Sequence, residues 1–198
     1  MTGTSHVIPK SGARIILVRH GQPDIALSPR TSHHGFAGYI DDYEAAGLDP
    51  QSLPPRELAD LVSELQSVFT SGRPRAHQSA AALAPHAKLV ADPLFAEAPL
   101  AAPPIPLLKM SAPKWAVVSR ILWHAGFHPG IENYRRARKR AAQAADILME
   151  EVKGGGTTAL VAHGYFNAIL GRVLRRRGFV REGSHRARYW NTVVYEWP

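Results

Sequence analysis

The chain contains no cysteine, which excludes disulfide bonds, thiolate metal ligands and a cysteine nucleophile. It also lacks an apolar run of the roughly 18 residues that a membrane-spanning helix needs. The opening residues, MTGTSHVIPKSGA, have no apolar stretch of the kind found in secretory signals. We therefore expect a cytoplasmic protein without membrane contact, in which residues 1–13 form a loose lead-in to the first strand.

Acidic residues are the scarcer charged type, with 16 against 24 lysines and arginines, and the formal net charge is +8. Much of the excess lies in two clusters, RRARKR at 135–140 and RVLRRR at 172–177. Neither is interleaved with the aromatic residues that nucleic-acid binding favours. We expect both clusters to be solvated helix faces, and we expect no nucleic-acid partner.

Short apolar runs alternate with segments of helical periodicity along most of the chain. The predicted strands are 14–18, 67–71, 88–93, 157–163 and 191–197, and the predicted helices are 54–66, 73–86, 112–126, 131–152 and 166–177. This alternation predicts an α/β fold, a three-layer α/β/α sandwich with a mainly parallel central sheet, formed as a single domain over residues 1–198.

Two segments fall outside this alternation. Residues 22–47 are rich in Pro, Gly, Ser and His, and we expect a long excursion with one helical turn near residues 40–46. The proline-dense stretch at 97–108 cannot form regular structure, and we expect it to wrap over the surface. Long loops of this kind often act as lids, so these two segments are the candidates for substrate recognition.

Two predicted strands end in histidine followed by glycine, in the sequences VRHG and VAHG. Because ligands of open parallel sheets bind beyond the carboxyl ends of the strands, His20 and His163 are expected to face one another there. Gly21 and Gly164 allow a sharp turn and can present backbone N–H groups to a ligand. Gln22 follows directly and is a further candidate for substrate binding.

Positive charge accompanies these histidines. Arg19 precedes the first, and a third strand leads into GRPRAHQSA, which places Arg73 or Arg75 at the same edge near a helix N-terminus. Glu97 follows the next strand. Two arginines, two imidazoles and a carboxylate are suited to a phosphoryl group.

Four of these segments resemble the histidine phosphatase superfamily, which includes cofactor-dependent phosphoglycerate mutase. They occur in the family's order: LVRHG at 17–21, TSGRPRAHQSA at 70–80, Glu97 after a short strand, and LVAHGYFNAIL at 160–170. The resemblance implies a phosphoglycerate mutase-like fold and phosphoryl transfer without a metal or another cofactor.

The resemblance also implies a role for each matching residue. His20 corresponds to the nucleophile that becomes phosphohistidine, and Arg19 to an arginine that binds the phosphoryl group. Arg75 corresponds to the second arginine, because it directly precedes the alanine of the motif. His163 corresponds to the second pocket histidine, and Glu97 to the proton donor.

The expected function is therefore a metal-independent phosphatase acting on a small phosphorylated substrate or a phosphoprotein. A mutase is the nearer alternative, although the sequence QPD after the first motif departs from the Trp-Asn pair usual in long mutases. A domain that binds phospho-ligands without turnover is the other alternative, since APLAAPPIP after Glu97 departs from the family's pattern. Asn167 is expected on a helix surface, and the adjacent His33 and His34 are not expected to bind a metal.

Overall fold

A six-stranded sheet with helices on both faces organises the protein. The computed structural model describes residues 7–26 and 29–198, so parts of the predicted lead-in and of the 22–47 excursion lie outside the described residues. The strands are β1 (Arg14–Arg19), β2 (Ser67–Thr70), β3 (Lys88–Ala91), β4 (Thr157–Ala162), β5 (Val180–Glu182) and β6 (Thr192–Glu196). They lie in the order β3-β2-β4-β1-β6-β5.

The sheet confirms the predicted mainly parallel α/β architecture. Strands β3, β2, β4 and β1 are parallel to one another, and β6 pairs antiparallel with β1. The edge strand β5 was missed by the sequence analysis. Its three residues are all exposed, so it carries no alternation of buried and exposed side chains that could reveal it.

Six helices lie between the strands in the part of the chain that the structure describes. They are α1 (His33–Ala45), α2 (Arg56–Val62), α3 (Pro74–Leu83), α4 (Ala112–His124), α5 (Tyr134–Glu151) and α6 (Gly164–Arg176), with a short 3₁₀ helix at Pro93–Phe95. The single turn predicted near residues 40–46 is instead a helix of 13 residues. Ser32 caps its N-terminus, and Phe36, its one buried residue, stacks on Trp115 of α4.

The sheet has a hydrophobic layer on each face. Side chains of β1 alternate between the two, with Ile15 and Leu17 facing α5 and α6, and Ile16 and Val18 facing α2 and α3. The buried face of α5 is mainly alanine, at residues 137, 141, 144 and 145, and the helix packs closely against α6.

The proline-rich segment 97–108 has no helix or strand, as predicted, but it does more than wrap over the surface. Ala98 and Pro103 are buried, and Ala102 and Ile105 pack against the cluster of Phe36, Ala112 and Trp115. The segment thus connects α1 and α4 to the rest of the fold. Among the described residues, no helix combines the length and the apolar character needed to cross a membrane.

The two basic clusters are only partly solvated. Arg135, Arg138, Lys139 and Arg176 are exposed and line a groove of about 490 Å³ between α5 and α6. Arg177 departs from the prediction, because its side chain is only 9% exposed and pairs with Asp146 at 2.7 Å.

Candidate active site

Strands β1 and β4 deliver the two predicted histidines to one point. The strands are paired in register, with Arg19 opposite Ala162, and the His20 amide donates to the Ala162 carbonyl at 2.9 Å. His20 and His163 are both buried, and their ring centroids lie 5.2 Å apart at an interplanar angle of 65°. The two imidazoles therefore meet edge to face at the carboxyl end of the sheet.

The hydrogen bonding of His20 determines which nitrogen carries the proton. Its Nδ1 lies 2.7 Å from the Gly21 carbonyl oxygen, which can only accept, so Nδ1–H is the donor. Nε2 keeps its lone pair. Burial, and then the positive charges of Arg75 and Arg19, lower the pKa of His20 to about 3. The imidazole is consequently neutral and nucleophilic near pH 7.

His163 is neutral for the same physical reasons. Burial is the main cause of its lowered pKa, followed by its neighbours His20, Arg75, Arg73 and Arg19. Its Nδ1 lies 3.4 Å from Arg75 Nη2, and its Nε2 lies 2.8 Å from Ser71 Oγ. Because a guanidinium can only donate, Nδ1 accepts and Nε2–H points to the serine.

Arg75 is completely buried beside His163 and is held in place by α1. Its Nη1 donates to the backbone oxygens of Tyr43 at 2.7 Å and Glu44 at 3.3 Å. Its Nη2 donates to Glu44 Oε1 at 2.9 Å. Its Nε is buried and has no hydrogen-bond partner among the described residues.

Arg19 approaches the histidines from β1. Its Nη1 donates to the Ala187 carbonyl oxygen, and its guanidinium lies 4.6 Å from the ring centroid of Tyr189. As in Arg75, its buried Nε finds no partner in the part of the chain that the structure describes. Both guanidiniums thus keep a buried N–H donor, and the charges of both lower the pKa values of the two imidazoles.

Aromatic rings and a carboxylate that the sequence analysis missed complete the site. Tyr43 and Tyr189 lie within 6.4 and 5.9 Å of the His20 ring, centroid to centroid. Glu44 bridges Arg75 and Arg73, with its Oε2 3.0 Å from Arg73 Nε. No motif marks these three residues. Ser71, in contrast, begins the S-x-x-x-R-A pattern, so that pattern was an available signal for it.

Gly21 and Gly164 were predicted to offer backbone N–H groups to a phosphate, but the structure shows other contacts for them. The Gly21 amide donates to Ser79 Oγ at 2.9 Å, so this N–H is already engaged. A Cβ on Gly164 would lie 3.1 Å from Arg19 Cδ, so this glycine leaves room for the arginine. Gln22 is exposed and is tied through its backbone to Ser52 and Asp49.

Glu97 lies at the N-terminus of α6, the helix that begins after His163. Its Oε1 accepts from the amides of Phe166 at 2.8 Å and Ala98 at 2.9 Å, and its Oε2 accepts from Tyr165 at 3.2 Å. The carboxylate therefore caps the helix and interacts favourably with its dipole. Through this cap it fixes the start of α6 next to His163.

Two arginines hold the segment that carries Glu97. Arg140 donates from Nη1 to the carbonyls of Leu94 and Ala96 at 2.8 and 2.7 Å, and its Nη2 pairs with Glu132 at 2.7 Å. Arg140 was expected on a solvated face, and this expectation is wrong. Arg120 donates to the Ala98 carbonyl at 2.8 Å.

Asn167 also departs from its predicted surface position. It is buried on the inner side of α6, and its Nδ2 donates to the Val18 carbonyl oxygen of β1 at 3.0 Å. This bond ties the helix that follows His163 to the strand that precedes His20. Asn167 therefore helps to set the distance between the two imidazoles.

A known protein family and several solved structures match the chain, and these structures include phosphatases. A family model described as "Histidine phosphatase superfamily (branch 1)" matches residues 15–192. A Mycobacterium tuberculosis open reading frame product superposes with a TM-score of 0.53 and 15% identity, covering 91% of this chain and 89% of the other. A mycobacterial glucosyl-3-phosphoglycerate phosphatase gives 0.52 and 20%, covering 83% and 80%.

Ecdysone phosphate phosphatase from Bombix mori, solved with tungstate, gives a TM-score of 0.53 and 16% identity, covering 91% of this chain and 88% of that one. At these identities the structures establish a common fold. None of the curated proteins compared with the chain matches it.

Proposed function

The chain belongs to the histidine phosphatase superfamily, and from this we propose that it is a metal-independent phosphatase. It hydrolyses a phosphomonoester, on a small molecule or a phosphoprotein, through a phosphohistidine on His20. The observation that carries this proposal is the pair of neutral imidazoles, 5.2 Å apart, between two arginines that each keep an unpartnered buried Nε within the described structure.

In the first step, the lone pair of His20 Nε2 attacks phosphorus while the bond to the leaving oxygen breaks. The Gly21 carbonyl oxygen accepts Nδ1–H throughout, and it stabilises the positive charge that develops on the ring. Arg19 and Arg75 bind the equatorial oxygens and neutralise their charge. In the second step, water attacks phosphorus and gives one proton to an oxygen of the phosphate product, while the P–N bond breaks and the imidazole of His20 leaves with its electron pair.

His163 forms the opposite wall of the pocket. A protonated His163 would add a third cation to the site, yet burial and the adjacent charges keep its pKa low. We therefore assign it a neutral, positioning part in binding the phosphoryl group, with Ser71 and Arg75 fixing the orientation of its ring.

The main test is turnover of 4-nitrophenyl phosphate in EDTA by the wild type, His20→Asn and the exposed-histidine control His86→Asn. We expect activity and an acid-labile phosphoenzyme from the wild type and the control, and neither from His20→Asn. A wild type without turnover and without phosphoenzyme would contradict the proposal.

Glu97 is proposed as the proton donor to the leaving oxygen, although its carboxylate also caps α6. The two roles predict different kinetics for Glu97→Gln. Loss of a proton donor leaves hydrolysis of 4-nitrophenyl phosphate nearly unchanged, because nitrophenolate leaves without a proton, but it slows hydrolysis of glycerol phosphate. Equal losses on both substrates would assign Glu97 to capping alone.

A further inference from the structure

The guanidinium of Arg75 presents two edges to different surroundings. The Nη1 edge is anchored by the backbone oxygens of Tyr43 and Glu44 at the end of α1. These carbonyl groups belong to the helix backbone, so they hold Arg75 whatever the Glu44 side chain does. Arg75 is thus positioned independently of the ligand on its other edge.

The other edge is formed by Nε and Nη2, and its Nη2 contacts His163. Nη2 lies 3.4 Å from His163 Nδ1, and Nε is buried without a partner among the described residues. A fork of two parallel N–H groups is the arginine geometry that binds phosphate through two oxygens. Nη2 has two N–H groups and both are engaged, one with Glu44 Oε1 at 2.9 Å and the other with His163 Nδ1 at 3.4 Å, so a phosphoryl group can use this arm of the fork only by displacing one of these two partners.

The Glu44 side chain can leave this position without disturbing the fold. Its carboxylate is held by two side chains, Arg75 and the half-exposed Arg73, and the Glu44 side chain is itself 30% exposed. A rotation about its side-chain torsions carries the carboxylate to solvent while α1 stays anchored by Phe36 on Trp115.

A carboxylate and a phosphoryl group both carry negative charge and both accept hydrogen bonds, so they cannot share one arm of the fork without repulsion. We propose that Glu44 is an internal competitor for the anion site, which the phosphoryl group must displace from Arg75. This inference rests on the proposed function. It makes Glu44 a determinant of anion affinity, which weakens the binding of substrate and product alike.

Calorimetric titration with inorganic phosphate tests this inference on the wild type, Glu44→Gln and a matched control, Asp42→Asn. The control removes one negative charge from an exposed position on the same helix. If the carboxylate occupies the fork nine-tenths of the time, apparent affinity is reduced about 10-fold, because only the remaining fraction is competent to bind. We expect Glu44→Gln to bind phosphate about 10-fold more tightly than the wild type and the control.

Equal or weaker binding by Glu44→Gln would overturn the inference, since Glu44 would then be neutral or would orient Arg75 for the ligand. Should the variant fail to fold, the ¹³C signal of the Glu44 carboxyl carbon in the wild type provides the test. We expect it to shift as phosphate saturates the site, and an unchanged signal would refute displacement.

The experiments distinguish a failure of the Glu44 inference from a failure of the proposed phosphatase function. A wild type that hydrolyses 4-nitrophenyl phosphate, with no effect of Glu44→Gln on phosphate affinity, contradicts only the role of Glu44. A wild type and a Glu44→Gln variant that neither bind phosphate nor turn over substrate contradict both.

Discussion

Acidification provides a direct test of the neutral state of His20, on which the proposed nucleophilic attack depends. Burial depresses its pKa from 6.5 in the unfolded chain to about 3 in the folded protein. Between these values the unfolded chain binds a proton that the folded protein does not. The stability that follows is fully present above pH 6.5 and is lost progressively as the pH falls toward 3.

The size of the effect follows from the two pKa values. Where the unfolded chain is fully protonated at a group and the folded protein is not, the free energy of unfolding changes by about 1.4 kcal/mol per pH unit. Between pH 7.5 and pH 5, His20 alone should lower the free energy of unfolding by about 2 kcal/mol. The pKa of His163 is lowered as well, so its contribution has the same sign and adds to the loss.

Urea unfolding at pH 7.5, 6.5, 5.5 and 5.0 measures this loss for the wild type, His20→Asn and the exposed-histidine control His86→Asn. We expect the free energy of His20→Asn to fall by about 2 kcal/mol less than that of the wild type across this range. The control should follow the wild type. Parallel pH dependences for the wild type and His20→Asn would show that the folded protein does not hold His20 neutral.

Three further substitutions test the surroundings of the site, each by the free energy of urea unfolding. Asn167→Ala removes the hydrogen bond to β1 and should cost about 1–3 kcal/mol, whereas a loss below about 0.5 kcal/mol would contradict its tie to the strand. Gly21→Ala should cost about 1–3 kcal/mol and reduce phosphatase activity, because its Cβ would lie 2.5 Å from Leu48 Cδ1 and from Trp190 Cζ2. The control Gly38→Ala, in open space on α1, should instead stabilise the protein by about 0.5–1 kcal/mol. Arg140→Met should cost about 3–5 kcal/mol by leaving Glu132 and three carbonyl oxygens without their donor, and a cost no greater than that of the exposed Arg138→Met would refute this assignment.

The five buried or half-buried strands and the two histidines could be predicted, because the signals for them are local, whereas the exposed β5 has no such signal. A run such as RIILV has the length and composition of a buried strand, and a residue directly after it must lie at the carboxyl edge of the sheet. The same rule placed His163, and the register of β1 with β4 then brought the two rings together. The motif that contains Arg75 likewise identified the arginine that the fold buries beside them.

The contacts of Glu44 and Arg140 could not be predicted in this way. Helix α1 buries only Phe36, so its sequence has a weak amphipathic pattern and does not reveal which surface it covers. Arg140 ends the basic cluster at 135–140, and its partners are mostly backbone oxygens. Any residue supplies a carbonyl group, so residue types cannot identify such partners. The same holds for Glu97, which binds backbone amides.

The two arginines of the site serve the chemistry in two ways. In the proposed mechanism each binds the phosphoryl group, and the charge of each adds to the effect of burial in lowering the pKa of His20. A cation placed to attract substrate therefore also keeps the nucleophile unprotonated. This coupling explains why a strand can end in Arg19 and His20 without a charge conflict, because only one of the two side chains is charged in the folded protein. The carboxylate of Glu44 balances part of the remaining positive charge through Arg75 and Arg73, and a phosphoryl group that replaces it would restore the same balance.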